Sequence, residues 1–347
     1  MIEPLLSVVC ITYNHEKFIA QAIDGFLMQK TDFPIEIIIH DDCSTDNTKK
    51  IIKNYANKYP ELIKTIYQTE NQYSQGNKPL KFILPLCRGK YIAQCEGDDF
   101  WVDSRKLQIQ VDFLEANPDY VISSHDAFII DESGNRLKDS KLPDEHKRDA
   151  SCEDLILSKA WLLTMSWVFR NVIKGYTPER AMVINGDTFF ISQLGKFGKS
   201  KYHSEIQPAA YRSHSGGVWS MVSDQEKYDS HINTWFWMYR YYTRQKQNKY
   251  AQYYWNKYIL SIYNKLSTER NSDLDTFPNT HSMFDGSSLQ SEIESLLTIQ
   301  LQRIKQLEIR SKSSEKLLSD IKNSFSYRIG NTLLWPIRIL IKHRNTN

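Results

Sequence analysis

The sequence predicts an α/β protein, a Rossmann-like mixed central sheet flanked by helices and followed by a C-terminal helical extension. Three observations predict it. β-rich runs at 5–11, 35–39 and 90–95 each end in a polar turn, and each turn is followed by a stretch with helical spacing. Two of the runs deliver adjacent carboxylates, Asp41-Asp42 and Asp98-Asp99, to their C-terminal ends. That is the edge where open α/β sheets bind ligands. Beyond residue 222 the strand pattern gives way to helical periodicity crowded with Tyr and Trp.

The elements follow in order. The run 5–11 ends in Thr12-Tyr13-Asn14-His15, and a helix from about Glu16 carries Phe18, Ile19, Ala22, Ile23, Phe26 and Leu27 on one face. The strand 35–39 leads through Asp41-Asp42 into a helix over 46–59, for which Ser44 is the expected N-cap. A short strand at 63–67, a polar loop at 71–78 and a helix at 79–87 precede the strand 90–95. The helix 105–116 is expected to be capped by Asp103, which leaves Asp98 and Asp99 without a capping role. Residues 120–130 read as one strand, 131–152 as a polar loop or flap, and 155–170 as an apolar, aromatic wall. Asp187 starts a helix that runs to Gly195.

Bulk properties narrow the function classes. With 347 residues the chain can bury a full core and carry an extra module. Its 44 Lys and Arg against 41 Asp and Glu leave a net charge of +3, too small to argue for a nucleic-acid partner. Five scattered cysteines without CxxC spacing indicate neither a disulfide framework nor a zinc site. The N-terminus lacks a basic, then apolar, leader, and no apolar run reaches spanning length, so a cytoplasmic location is expected.

Chemistry concentrates at the strand ends. Two adjacent ionised carboxylates repel, so Asp98 and Asp99 are comfortable with a cation nearby, and an oxygen site of this kind suits Mg²⁺ or Mn²⁺ sharing its shell with a phosphate. Asp41 and Asp42 face the same crevice, where a carboxylate can accept from a base N–H or a ribose hydroxyl; closing an Asx-turn is the alternative use. Lys78 or Lys81 can reach a diphosphate as a point charge. Asp187, favoured in a first helical turn, stays ionised as a general base must. His214, beside Arg212 and the Gly216-Gly217 pair, suits a metal or a phosphate.

Four ordered pieces resemble the family 2 glycosyltransferases with the GT-A fold. They are Ser7-Val8-Val9-Cys10-Ile11-Thr12-Tyr13-Asn14, Asp41-Asp42-Cys43-Ser44-Thr45-Asp46, Glu96-Gly97-Asp98-Asp99-Phe100-Trp101 and Gly186-Asp187. The resemblance covers roughly residues 5–220. It implies that Thr12, Tyr13, Asn14 and Asp42 hold the nucleotide, with Lys78 near the diphosphate and Asp98 on the ribose side. It further implies that Asp99 coordinates Mn²⁺ or Mg²⁺, that His214 completes the metal site, and that Asp187 deprotonates the acceptor hydroxyl. Cys43 stands where the family commonly has Gly, and Gly186 where it has an acidic residue. The implied reaction is inverting transfer of one sugar from a nucleotide-sugar donor, with a UDP-sugar favoured, to a surface-glycan acceptor carried on a lipid. The QxxRW signature of processive relatives is absent from the sequence.

The expected organisation is a GT-A domain over 1–222, an aromatic-rich helical extension over 223–270, a linker over 271–288, a helical or coiled-coil segment over 289–323 and a basic amphipathic tail over 324–347. The heptad-like seam of the fourth segment fits either a homodimer or a lone solvated helix. The tail fits either the inner face of a membrane or the protein's own core. Three rival readings are weaker on the residues. A nucleotidyltransferase would need a glycine-rich phosphate loop where Thr12-Tyr13-Asn14-His15 stands. A receiver-like module would leave Asp98, Asp99 and Asp187 without a use. A non-catalytic sugar-binding protein would work through the aromatic third.

Overall fold

A computed structural model describes residues 3–217 and 222–271. The linker, coiled-coil and tail expectations lie outside the described residues, apart from residue 271. Along the chain run β1 (Leu6–Thr12), α1 (Ile19–Leu27), β2 (Ile35–Asp41), α2 (Thr48–Lys58), β3 (Ile63–Tyr67), α3 (Leu80–Ile83) and β4 (Tyr91–Glu96). They are followed by α4 (Lys106–Ala116), β5 (Tyr120–Ser124), β6 (Ala127–Ile130), β7 (Arg136–Lys138), α5 (Cys152–Ile156) and β8 (Val168–Arg170). The remaining elements are α6 (Pro178–Met182), α7 (Gly186–Leu194), β9 (Lys199–Tyr202), β10 (Ala209–Arg212), α8 (Asp224–Arg244) and α9 (Asn248–Asn271).

The seven-stranded sheet has the order β3-β2-β1-β4-β8-β5-β9. β3, β2, β1 and β4 are mutually parallel, and β8 is antiparallel to both β4 and β5. β1 carries no polar alternation because both of its faces are covered. Val8 and Cys10 pack with Ile19, Ile23 and Phe26 of α1, while Val9 packs on the opposite face with Ile38, Ile92, Trp167 and Phe190. A smaller sheet, β10-β6-β7, is tied to the segment after β4 by a bridge between Phe100 and Ala210. That bridge carries the end of β10 to the C-terminal edge of β4.

Three local expectations are corrected. The run 120–130 is two strands in different sheets, because a buried turn at His125-Asp126 breaks it. Asp126 then accepts from the N–H of Leu142 (3.0 Å) and the hydroxyl of Ser140 (2.6 Å), so 131–152 is pinned to the body and includes β7. Ser44 does not cap α2. Its Oγ accepts the Asn14 N–H (2.9 Å), while Asp46 takes the N–H groups of Thr48 (2.9 Å) and Glu16 (3.0 Å).

α8, and α9 as far as Ile262, belong to the same compact unit as the sheet. Their aromatic stripe is core. Met238, Tyr242 and Tyr254 are fully buried against Ile156, Leu157, Val183 and Phe189. No helix among the described residues is long and apolar enough to cross a membrane.

Candidate active site

The site lies where the parallel strands end. The β1–α1 and β2–α2 loops are laced together by Asn14, whose Oδ1 accepts the Thr45 N–H (2.8 Å), and by Thr48, whose Oγ1 accepts the His15 N–H (2.8 Å). Asn14 is thereby a loop staple. The lacing fixes His15 over the end of β4, a position the sequence did not single out. Gly97 makes this closeness possible, since a Cβ there would lie 2.6 Å from Thr12 Oγ1 and 3.0 Å from His15 Nδ1.

His15, Asp98 and His214 come together, with one ligand atom from each within 4.8 Å of the others. Asp98 Oδ2 is 3.0 Å from His214 Nε2 and 3.8 Å from His15 Nε2. Burial works to raise the Asp98 carboxyl, yet the His214 hydrogen bond and the nearby imidazoles hold it below its usual range. Burial, the larger effect, lowers His15, and its Nδ1 is buried without a partner. Two imidazoles and one carboxylate in this arrangement fit a divalent cation.

The adjacent Asp99 turns the other way. It is buried, and its Oδ1 accepts the Arg212 backbone N–H (2.8 Å). Burial, then the charges of Asp98 and Glu96, push its carboxyl well above the usual range. Asp98, rather than the Asp99 for which the metal role is expected from the sequence, therefore stands with the two imidazoles. Arg212 is not free for phosphate either. Its guanidinium donates to the carbonyls of Asp98 (3.1 Å), Asp131 (3.2 Å) and Glu132 (3.3 Å) and to Gln21 (2.7 Å).

Among the expected nucleotide residues, Thr12 is buried with its Oγ1 unpartnered, and Tyr13 is exposed. Asp42 is spent on structure. It accepts the N–H groups of Gln72 (2.8 Å) and Tyr73 (3.0 Å), which ties down the loop after β3. Asp41, paired with Thr12 across the strands, keeps a buried carboxylate oxygen with no partner. Glu96, at the end of β4, is a further carboxylate beside Asp98. It accepts from Gln94 (2.8 Å) and Thr164 (3.1 Å), and burial, with the Asp98 charge adding to it, raises its carboxyl to about 7.

A cleft of about 1010 Å³ opens beside Thr164 and holds Asp187, Lys141, Trp161, Tyr211, His231 and Trp235. Lys78 reaches the start of α7 by donating to the Ile184 carbonyl (3.2 Å), close enough for the Asp187 charge to act on it. The structure thus brings Lys78 to Asp187 and His214 to Asp98. Lys141 stands over the Tyr211 ring at 3.4 Å.

A mixed sheet flanked by helices, with its acidic residues gathered at the ends of the parallel strands, is the GT-A architecture of nucleotide-sugar enzymes. Residues 7–174, just under half of the chain, match the model described as "Glycosyl transferase family 2", so this stretch is a domain of that family. Of its relatives, an uncharacterised protein of Mycobacterium tuberculosis is 38% identical over 225 residues, 64% of this chain and 63% of that protein. The chain thus spans less than two thirds of that relative's length. The poly(ribitol-phosphate) β-N-acetylglucosaminyltransferase TarS of Staphylococcus aureus is 31% identical over 112 residues, 31% of this chain and 18% of TarS. The structure of its residues 1–349 with UDP-GlcNAc aligns with a TM-score of 0.50 at 19% identity, covering 67% of this chain and 64% of that one. The mannosyltransferase PcManGT of Pyrobaculum calidifontis, in complex with GDP-Man and Mn²⁺, aligns with a TM-score of 0.52 at 12% identity, covering 96% of this chain and 86% of that one. Both structural likenesses concern the fold.

Proposed function

We propose that the chain is an inverting, non-processive, metal-dependent glycosyltransferase that moves one sugar from a nucleotide-sugar donor to a hydroxyl of a surface glycan. The observation that carries this reading is the meeting of His15, Asp98 and His214 at the ligand-binding edge of the sheet. Two nitrogen donors suit Mn²⁺ better than Mg²⁺, which prefers oxygen ligands. When bound, the cation would neutralise charge on the departing diphosphate.

The chain's own groups do the rest. Asp41 and Thr12 offer unpartnered buried oxygens to the nucleoside. Asp187, in the cleft, takes the proton of the attacking acceptor hydroxyl. One C–O bond forms as another breaks on the opposite face of the anomeric carbon, and the configuration inverts. Lys78 is a fixed cation beside Asp187. The polymer-modifying relative TarS supports a surface-glycan acceptor. A lipid-linked acceptor at the inner face of a membrane, and a homodimer, are supported only by the sequence of residues 289–347.

Thermal shift with UDP-, GDP-, dTDP- and CMP-sugars, with and without Mn²⁺, tests the donor site, a UDP-sugar being the first to try. One nucleotide class should raise the melting temperature only with metal. The rise should vanish in Asp98→Ala and survive in Asp99→Asn. The converse pattern returns the metal to Asp99, and no rise with any donor sinks the reading.

A further inference from the structure

The far wall of the cleft has a use that base and metal do not exhaust. We propose that the acceptor carries an anionic group, a phosphate or a carboxylate, near the hydroxyl that Asp187 deprotonates, and that Lys257 and His231 on the Trp235 ring receive it. The inference rests on reading the cleft as the acceptor side of a transferase.

Lys257, Trp235, His231 and Asp187 line the same cleft. The Lys257 ammonium stands 4.2 Å over the Trp235 ring and 5.4 Å from that of Tyr253. The His231 ring stacks on Trp235 at 5.8 Å with the planes 8° apart. One indole therefore presents a lysine and a histidine to the same space. Among the described residues no carboxylate lies within ion-pair distance of Lys257; the salt bridges of the neighbouring surface join Lys249 to Glu153 and Arg244 to Glu179. Burial, then the charge of Lys159, lowers the Lys257 ammonium, so it is a partly desolvated cation facing another cation. Partial burial, then Lys257, lowers His231, while Asp187 acts to raise it.

A half-buried ammonium without a counter-ion is a cost that a bound anion removes. Glu226, a carboxylate of the same cleft, does not fill this role. It accepts from the N–H (2.9 Å) and the hydroxyl (2.7 Å) of Ser223 in the capping box of α8. Across the cleft, Trp161 is 43% exposed, an apolar face suited to a sugar ring. A neutral glycan would use Trp161 and Trp235 and leave Lys257 uncompensated. An anionic one uses all of them.

The test is binding to the full chain, by calorimetry and saturation-transfer NMR, of three probes: a glycerol-phosphate oligomer, a glucuronic-acid-terminated disaccharide and a neutral disaccharide. One anionic probe should bind about tenfold or more tighter than the neutral one, and which of the two does so separates phosphate from carboxylate. Lys257→Gln should reduce the preference to near parity, and Lys257→Arg should keep it. Equal affinities, no binding of either anionic probe, or a preference unchanged in Lys257→Gln would each overturn the proposal. Donor binding by the same preparation reports separately on the transferase reading.

Discussion

Cys43 holds a φ of 66°, in the left-handed region where a side chain is strained. The turn that links β2 to α2 thus needs the conformation glycine takes freely, and the sequence supplies cysteine. Cys43→Gly should stabilise the protein by about 0.5–1 kcal/mol after the extra backbone entropy of glycine is subtracted, seen as a higher denaturant midpoint with an unchanged slope. Asp42 acts on its surroundings through two backbone N–H groups. Asp42→Ala should cost about 2–3 kcal/mol and speed amide exchange at Gln72 and Tyr73, because both donors lose a charged acceptor. A residue whose only use was to hold a nucleotide would leave exchange in the free protein unchanged.

Elements are held in register from the edge opposite the site. Glu36 near the start of β2 accepts from Ser7 of β1 (2.8 Å), Lys64 of β3 (2.8 Å) and the Arg88 backbone (2.9 Å) and guanidinium (2.9 and 3.0 Å) just before β4. One carboxylate thereby gathers four parallel strands. Burial alone would raise it, but the hydrogen bonds from Lys64, Arg88 and Ser7 bring it down to about 2. A carboxyl depressed in the folded state contributes stability that is present above its unfolded value, near 4.5, and is lost as pH falls from there to about 2. The amount is on the order of 2 kcal/mol, since Lys64 and Arg88 are partly exposed and screened. Urea titrations between pH 7 and pH 3 should show this decline in the wild type and a flatter profile in Glu36→Gln.

At the largest scale α8 packs against α7, and α9 against α5. Tyr242 shares a hydrogen bond of 2.6 Å with Ser192 of α7, and the Tyr254 hydroxyl donates to the Ile156 carbonyl of α5. Tyr242→Ala removes a fully buried ring and should cost about 3–5 kcal/mol, with loss of amide protection in both α7 and α8. Because α8 and α7 both line the cleft, the same substitution should weaken acceptor binding more than donor binding. Much of this architecture is legible in the chain. β1 to β4 fall within two residues of their expected limits, since buried apolar runs bounded by polar turns specify parallel strands through short-range pattern alone. The aromatic stripe of 223–270 reads as helix and is helix as far as Asn271. The break at His125-Asp126, the anchoring of 131–152 and the course of β8 are not legible, because partners distant in sequence hold them. In the site, Asp98, His214, Asp187 and Lys78 stand out as residue types at strand and helix ends. Which of two adjacent carboxylates meets the imidazoles does not, and neither does the part played by His15. By itself the sequence determined the class of fold, the edge where the acidic residues gather and the residue types available there. Only the tertiary structure decided which side chains converge: Asp98 meets His214, 116 residues away, because β10 crosses the end of β4 and its Arg212 backbone N–H takes Asp99 to the other side.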